Sequence, residues 1–453
     1  MATYYVSADS VSTNWAAATN IATPATVQTG MDNAVSGDVV QFLPGTYDPP
    51  NASDYETPAW NSANSGTPGN PITYKSYIPL AAVIRDCANA AATGNSGWGV
   101  GGAGGRDYIT FDGFTCVRDK DLGTLASSHT VIANGSSNIR VKNCNYIGRS
   151  HFNHTNGCCI ACHGGSQIYI HHNTFSGQTS DPGRTEATIN VSAVYLFATT
   201  DFYVYNNTVY NCHNGISWKT APNNVNCYQN FLYDLTRAAF FPTLETTGQS
   251  NWNIHHNVVL NAEYLVDMED SPASVATGMK IYNNTVYDSG AMTRGVFHGQ
   301  DGGNQPWRST EFYNNIFHLG ASTRLLEIYD NVVGATAFPT VLNNNCYYMS
   351  AGTASWSRNA TVNTTLSGWR TTAQAVLAGA EANSITTNPS FVNVGGASAA
   401  DYQLAVGSPC LGTGIGGVDM GAWQGVAVIG NQDDVPSVSE YGGRSHGRMM
   451  VWV

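Results

Sequence analysis

The sequence predicts an all-β protein built as one elongated parallel β-helix with three strands per turn, and three observations carry that prediction. Lys, Arg, Asp and Glu make up 11% of the 453 residues, against roughly 25% in an average domain. The 42% of hydrophobic residues gives the chain ample apolar surface to bury, which excludes a disordered protein. The 47 Gly and 24 Tyr, with frequent Asn, Ser and Thr, favour short strands joined by tight turns over helices. The third observation decides the architecture. An octapeptide of alternating apolar residues running into Asn and then an apolar pair recurs eight times between residues 140 and 348.

At the amino end, residues 1–50 hold a capping helix and a first turn. Val27, Met31 and Val35 recur at i, i+4 and i+8 within PATVQTGMDNAV, with Thr23 before Pro24 as the start, so one apolar stripe closes the open end of a core. Residues 51–350 form the β-helix. Its repeats read RVKNCNYI, YIHHNTFS, YVYNNTVY, NCYQNFLY, NIHHNVVL, KIYNNTVY, EFYNNIFH and VLNNNCYY. The second residue of each central pair is Cys144, Asn173, Asn207, Asn230, Asn257, Asn284, Asn315 or Asn345, at gaps of 29, 34, 23, 27, 27, 31 and 30. Such periods indicate a solenoid, and period-2 alternation inside each unit makes its strands β. Asn fits the bend because it tolerates the left-handed region and because stacked amides hydrogen-bond in a ladder.

A more variable strand follows each Asn strand: AVYLFAT, GISWKT, AAFFPT, YLVDMED, GVFHGQD and RLLEIYD. Alternation turns Ile216, Trp218, Val266, Met268, Leu326 and Ile328 inward. With turns stacked about 4.8 Å apart, one outer strip collects Tyr195, Phe197, Lys219, Asp267, Glu269, His298, Gln300, Glu327 and Tyr329. Residues 351–425 close the other end, and residues 426–453 form a tail that is Gly-rich and then abruptly apolar at Met449, Met450, Val451, Trp452 and Val453. An apolar terminus of this kind is expected to dock on another subunit or another particle component.

TYYVSADS, the helical segment, SGDVVQFLPGTY and, near the other end, SGWRTTAQAVLAGAEANSITTNPSFV with DYQLAVGSPCLGTGIGGVDMGAWQG carry a family resemblance. They resemble the amino-terminal cap, first turn and closing segment of right-handed parallel β-helix polysaccharide-active proteins, the pectate-lyase-like and chondroitinase-B-like group. The resemblance covers most of residues 3–425 and implies a right-handed helix and a polysaccharide ligand. It does not fix an activity, since this fold hosts lyases, hydrolases and purely structural proteins.

Three chemistries compete on the strip. Lys219 followed by Arg237 resembles the proton-abstracting Lys and accompanying Arg of a chondroitinase-B-like lyase. However, Cys212, His213 and Asn214 stand where calcium-binding carboxylates belong, and Arg237 falls about five residues short of the stacked position. A glycoside hydrolase needs one protonated and one ionised carboxyl about 5 to 9.5 Å apart. Asp267 and Glu269 lie about 7 Å apart by strand rise, and Glu327 lies about 9.6 Å away by turn spacing, with His298 between. Tyr195, Phe197, Gln300, Trp307 and Tyr329 are then the sugar-contacting residues. The bland reading is that these carboxylates only keep an acidic surface soluble.

Other motifs read as structure. Cys158, Cys159, Cys162 and His163 contain the C-x-x-C-H spacing of a haem attachment site, but a solenoid strand is the wrong context, and a zinc site lacks a second cluster. Most of the ten cysteines read as buried thiols, and His171-His172 and His255-His256 as turn histidines. No metal or cofactor is expected. A net charge of −12 and the absence of a basic run disfavour nucleic acid and anionic membrane as partners. MATYYVSADS lacks the regions of a signal peptide. The expected setting is therefore a phage virion surface: a tailspike-like homotrimer that binds cell-surface polysaccharide, with depolymerisation left open and hydrolysis favoured over a lyase reaction where it occurs, and with the tail contacting other virion proteins. The alternatives are a non-catalytic decoration protein or adhesin of the virion, and a secreted, extracellular polysaccharide lyase.

Overall fold

The computed structural model describes residues 1–50, 58–85, 95–100, 105–118, 127–132, 135–149, 157–179, 191–220, 222–244, 249–270, 276–290, 297–299, 309–328, 338–359 and 361–423. They form the right-handed parallel β-helix expected from the sequence. Each coil lays down three strands in order. Ser166–His171, Thr174–Ser176 and Ser192–Phe197 are followed, one coil on, by Thr200–Tyr205, Thr208–Tyr210 and Asn214–Lys219. The pairing is parallel and in register: Ile168 lies opposite Phe202, Phe175 opposite Val209 and Val194 opposite Ile216. Three faces result. The first runs from Thr3–Val6 to Val341–Asn343, and the second from Gly45–Tyr47 to Cys346–Met349. The third begins at Trp60–Asn61 and runs to Phe297–Gly299, and Thr323–Ile328 paired with Ala354–Arg358 closes its end.

Alternation fills the interior with Ile168, Ile170, Phe202, Val204, Val225, Trp252 and Ile254, all fully buried. The corner between the first and second faces is the most regular feature. At each Asn pair the first residue takes the left-handed conformation and the second builds the ladder, so the two tasks expected of one Asn are divided between neighbours. His172, Asn206, Gln229, His256, Asn283, Asn314 and Asn344 have φ between 52° and 56°. The next residue in each case, Asn173, Asn207, Asn230, Asn257, Asn284, Asn315 or Asn345, is buried. Each ladder amide from Asn173 to Asn315 donates from Nδ2 to Oδ1 of the next coil's Asn at 3.0 or 3.1 Å. That Oδ1 also accepts the backbone N–H of the preceding ladder residue, and a second Nδ2 bond reaches a carbonyl one coil back, as from Asn257 to Cys227 at 2.9 Å. Buried amide groups are thereby satisfied without water.

On the outside of the first face, in-register side chains stack as a ribbon of rings: His171, Tyr205, Tyr228, His255, Tyr282 and Tyr313, with centroids 4.7 to 5.2 Å apart and planes within 10° of parallel. His171 and His255 each share a 2.8 Å Nδ1···Nδ1 contact with the following histidine, so the turn histidines bond within their own pair. Burial, then the neighbouring His172, pushes His171 down to about 3, which keeps the ring neutral in the stack.

Both ends are capped. The amino-terminal helix is Val27–Asn33, and its cap is Thr26, whose side chain accepts from the Thr29 amide. Val27 and Met31 enter the core, but Val35 lies beyond the helix and is exposed, because the chain leaves helical geometry at Ala34. The start is correspondingly Thr26 rather than Thr23, since a β-region Thr side chain can reach an orphan amide. At the far end, helix Leu366–Gln374 buries Trp369. The chain then turns back along the outside of the second face, where Phe391, Tyr402, Cys410 and Met420 cover Val258, Leu260, Ile316 and Cys346. The left-handed corner residues grip it: Asn344 donates to the Thr413 carbonyl at 2.8 Å, Ile415 donates to Asn314 Oδ1 at 2.7 Å, and Asn283 donates to the Asp419 carbonyl at 2.9 Å.

The ladder ends on a buried acid. The Asn345 backbone N–H donates to Ser384 Oγ at 2.9 Å, and Ser384 donates in turn to Glu381, which also accepts from Tyr347 at 2.8 Å and Trp369 at 3.2 Å. Burial raises the Glu381 carboxyl above its ordinary range, against the pull of these donors.

Two outcomes follow. Asn257→Leu strands the Asn230 donors and the Asn284 end of the ladder, and is expected to lower unfolding free energy by about 1–3 kcal/mol in chemical denaturation. For Glu381, a raised native pKa means that the folded state favours the protonated form. Its stabilising contribution is full below the unfolded pKa and is lost as pH rises through the native value. As pH rises from the ordinary carboxylate range through the native value, melting temperature should therefore fall more steeply for the wild type than for Glu381→Gln, and parallel curves would exclude the linkage.

Candidate functional site

The third face carries the variable strands, and alternation splits their residues between core and surface. Ile160, Val194, Ile216, Phe240 and Val266 point inward and belong to the main core. Outside, two in-register rows run along the helix axis. One contains Ala161, Tyr195 and Ser217, continues through Phe241, and ends at Asp267 opposite His298. The other contains His163, Phe197, Lys219, Thr243 and Glu269. Successive members stand about 4.8 Å apart. The upstream end is aromatic and cationic, and the downstream end is acidic.

A register shift between Leu235 and Ala238 admits extra chain at the corner between the second and third faces. It places Arg237 beside this surface, as bulges do when they re-aim a side chain. Arg237 Nε donates to Asp267 Oδ2 at 2.8 Å, both side chains are almost fully buried, and the guanidinium lies 4.3 Å over the Phe241 ring. His213 sits one coil back at the same corner, with Nδ1 2.8 Å from Thr236 Oγ1; burial, then the Arg237 charge, pushes it down to about 4. Ser192 and Ser217 bond across neighbouring coils at 2.5 Å, and Arg118 donates to the Cys158 carbonyl at 2.6 Å. On the strand Thr323–Ile328, Arg324 donates to Glu327 at 2.6 Å, and Glu327 faces Ser357 in the last coil.

Among the residues singled out in the sequence, Tyr195 is 3% exposed and packs with Val131, Cys158 and Ala161, whereas Phe197 is only partly covered and lies 5.9 Å from His163. Lys219 is partly exposed in line with Phe197 and Thr243, so Arg237 is not its stacked neighbour. Asp267 and Glu327 are on the outer side of their strands but buried rather than exposed, each against an arginine, and Glu327 lies in the closing sheet beyond the two rows. Glu269 and His298 occupy strand positions in those rows, while their side chains lie outside the description, and Gln300, Trp307 and Tyr329 lie outside the described residues altogether. Cys159 and Cys162 belong to the core whereas His163 is in the outer row, so the C-x-x-C-H spacing does not converge. Among the described residues no group of three His, Cys, Asp or Glu is placed to hold a metal ion, and burial pushes the Cys158 thiol up to about 11. Sequence reading missed the Arg237–Asp267 pair, His213 and Arg118. The available signal was the extra length between TVY-type and GIS-type strands in the coil of Phe231–Leu244.

The chain matches no family model and no curated protein. Among solved structures it is similar to a complex of XylC with xylose, at 10% identity over 79% of this chain and 86% of that one, with a TM-score of 0.46. It is also similar to pectate lyase Pel9A, at 15% identity over 93% and 96% with a TM-score of 0.38. A third is the PL6 family polysaccharide lyase Pedsa3628 from Pseudopedobacter saltans, at 11% identity over 80% and 89% with a TM-score of 0.40. These are likenesses of fold.

The buried pair gives a stability test. Arg237→Ala leaves Asp267 buried without its guanidinium and is expected to cost about 3–5 kcal/mol. Arg237→Met combined with Asp267→Leu should recover most of that loss in the same denaturation assay, since both charges are then gone.

Proposed function

We propose that the protein binds polysaccharide along the outer rows of the third face and hydrolyses it at the acidic end. The observation that carries this reading is the arginine set against each of two carboxyl groups on the outer side of the helix. Asp267 and Glu327 each accept from an arginine, at 2.8 and 2.6 Å, and a guanidinium at that distance favours the ionised acceptor. Glu269, two residues along the strand from Asp267, is assigned as the proton donor, and Asp267, oriented by Arg237, as the base that activates water. Their separation of about 7 Å by strand rise suits inversion, which needs room for a water between the two groups. His298 continues the Asp267 row by one coil, and Phe197 and Lys219 lie upstream on the line an extended sugar chain would follow. Tyr195 supports that surface from beneath.

The setting we propose is a virion surface, as a tailspike-like homotrimer whose tail contacts other particle proteins. The extracellular enzyme is the alternative, and mass spectrometry of purified particles against culture supernatant separates the two.

The chemical test incubates the protein with capsular polysaccharides and lipopolysaccharides. Reducing ends should accumulate without the ultraviolet absorbance of an unsaturated uronate, and Glu269→Gln should abolish release while sparing binding. Absorbance that is lost in Lys219→Ala would make the protein a lyase. Binding without cleavage, unchanged in Asp267, Glu269 and Glu327 variants, would make it an adhesin, and no binding at all a structural decoration protein.

A further inference from the structure

The returning segment that covers the second face brings one thiol against another. Cys346 opens the last strand of that face, Cys346–Met349, and Cys410 lies in the cover. Both are fully buried and free, and both belong to the apolar cluster that joins cover to coil. The same short stretch of chain holds each of them. Cys346 Sγ donates to the Thr387 carbonyl at 3.2 Å. Two residues on, the Pro389 carbonyl accepts from the Ser408 hydroxyl, whose oxygen accepts the Cys410 N–H at 3.2 Å. Beside that anchor the Cys410 thiol meets the Cys346 thiol and, with burial, pushes it well above its ordinary range.

Position sets this pair apart from the other cysteines. Cys116, Cys144, Cys159, Cys162, Cys212 and Cys227 belong to the main core, within coils that strand pairing already holds in register. Cys346 and Cys410 stand on two pieces of chain joined by apolar packing and single hydrogen bonds, with residues 347–409 between them. A bond there closes a long loop of the unfolded chain, and long loops gain most from a cross-link.

We propose that Cys346 and Cys410 are an oxidation site, at which a small-molecule disulfide of the glutathione class converts the two thiols into a disulfide that staples the cover to the last coil. One thiolate attacks the glutathione disulfide, releasing one glutathione thiolate and leaving a mixed disulfide. The second thiolate attacks the protein sulfur of that mixed disulfide and releases the other glutathione. The S–S bond of the oxidant is reduced, one protein S–S bond forms, and the two cysteine protons pass to the two glutathione thiolates. Burial confines the exchange to moments when the cover lifts, since only an accessible thiolate reacts. The bond formed is about 2.0 Å long, so thiols already in contact need only a small approach. The inference does not depend on the chemistry of the third face.

The test incubates the full chain with oxidised glutathione in urea too dilute to unfold it, then alkylates the remaining thiols and digests with trypsin without reductant. Mass spectrometry should recover the peptide of residues 325–358, which contains Cys346, joined to that of residues 371–444, which contains Cys410. Dithiothreitol should separate them, and Cys410→Ala should return Cys346 alkylated. Hydrogen exchange of the Met420 and Gly421 amides, which donate to the Cys410 and Asn314 carbonyls, should slow about tenfold or more on oxidation of the wild type and not of Cys410→Ala. The proposal is overturned if both cysteines are recovered alkylated, if either is joined to a different cysteine, or if the bond forms and exchange in the cover is unchanged. The peptide and exchange readings on the wild type decide it even where the variant fails to fold.

Discussion

A buried corner poses two problems at once: the chain must reverse through a left-handed residue, and the polar backbone exposed by the turn must find partners inside an apolar core. The ladder from Asn173 to Asn345 solves the second, and the residue before each ladder Asn solves the first. Every other regularity leans on this division. Because each Oδ1 from Asn207 to Asn345 accepts two N–H groups from the preceding coil, a coil cannot slip in register without stranding buried donors in both neighbours. The in-register side chains outside then stack as a consequence, giving the ring ribbon of the first face and the mixed rows of the third.

The same corner column also determines where the second layer attaches. Through most of its length the outer second face is polar, with Asn145, Thr174 and Thr208 in one row. From Phe231 the row turns mainly apolar, with Val258, Ile316 and Cys346, and its one Thr in that stretch, Thr285, accepts the Ala422 N–H of the returning segment at 2.9 Å. The returning segment covers the apolar part, and its backbone is held by Asn283, Asn314 and Asn344, residues whose first task is the left-handed turn. One residue type at one position thus serves the coil in front of it and the cover beside it. Glu381 joins the two systems by ending the ladder through Ser384 under the closing helix.

Repetition made the ladder and the inward residues legible in the sequence: Ile216, Trp218, Val266, Met268, Leu326 and Ile328 all lie in the core where alternation puts them. The outer rows were legible to the same extent, since Lys219, Asp267 and Glu327 lie on the surface side of their strands. What alternation cannot convey is a contact between residues at non-equivalent positions. Arg237 reaches Asp267 only because of a register shift at Leu235 and Ala238; the extra length of that coil marks an irregularity, but not which side chain it re-aims or what that side chain meets. Tyr195 illustrates the converse: its row is outward as read, yet a neighbouring cluster covers it.

Chain length shows why the third face bears the chemistry. From Asp112 and Thr115 onward two residues separate the strands at the ladder corner, as between His171 and Thr174 or Tyr205 and Thr208, whereas before the ladder begins five residues separate Ser76 from Ala82. Between the second and third faces the connection ranges from three residues, Tyr210 to Asn214, to fifteen, Ser176 to Ser192. The ladder forbids insertion at its own corner, because an extra residue would lift an amide out of line, so additional chain can enter only at the two corners that flank the third face. Loops are where binding groups accumulate on rigid scaffolds. A solenoid pinned by an internal ladder therefore concentrates its variable chain beside one outer surface, and Arg237, His213 and the acidic residues of the rows stand at that surface for the same reason that the opposite corner keeps its length wherever the ladder runs.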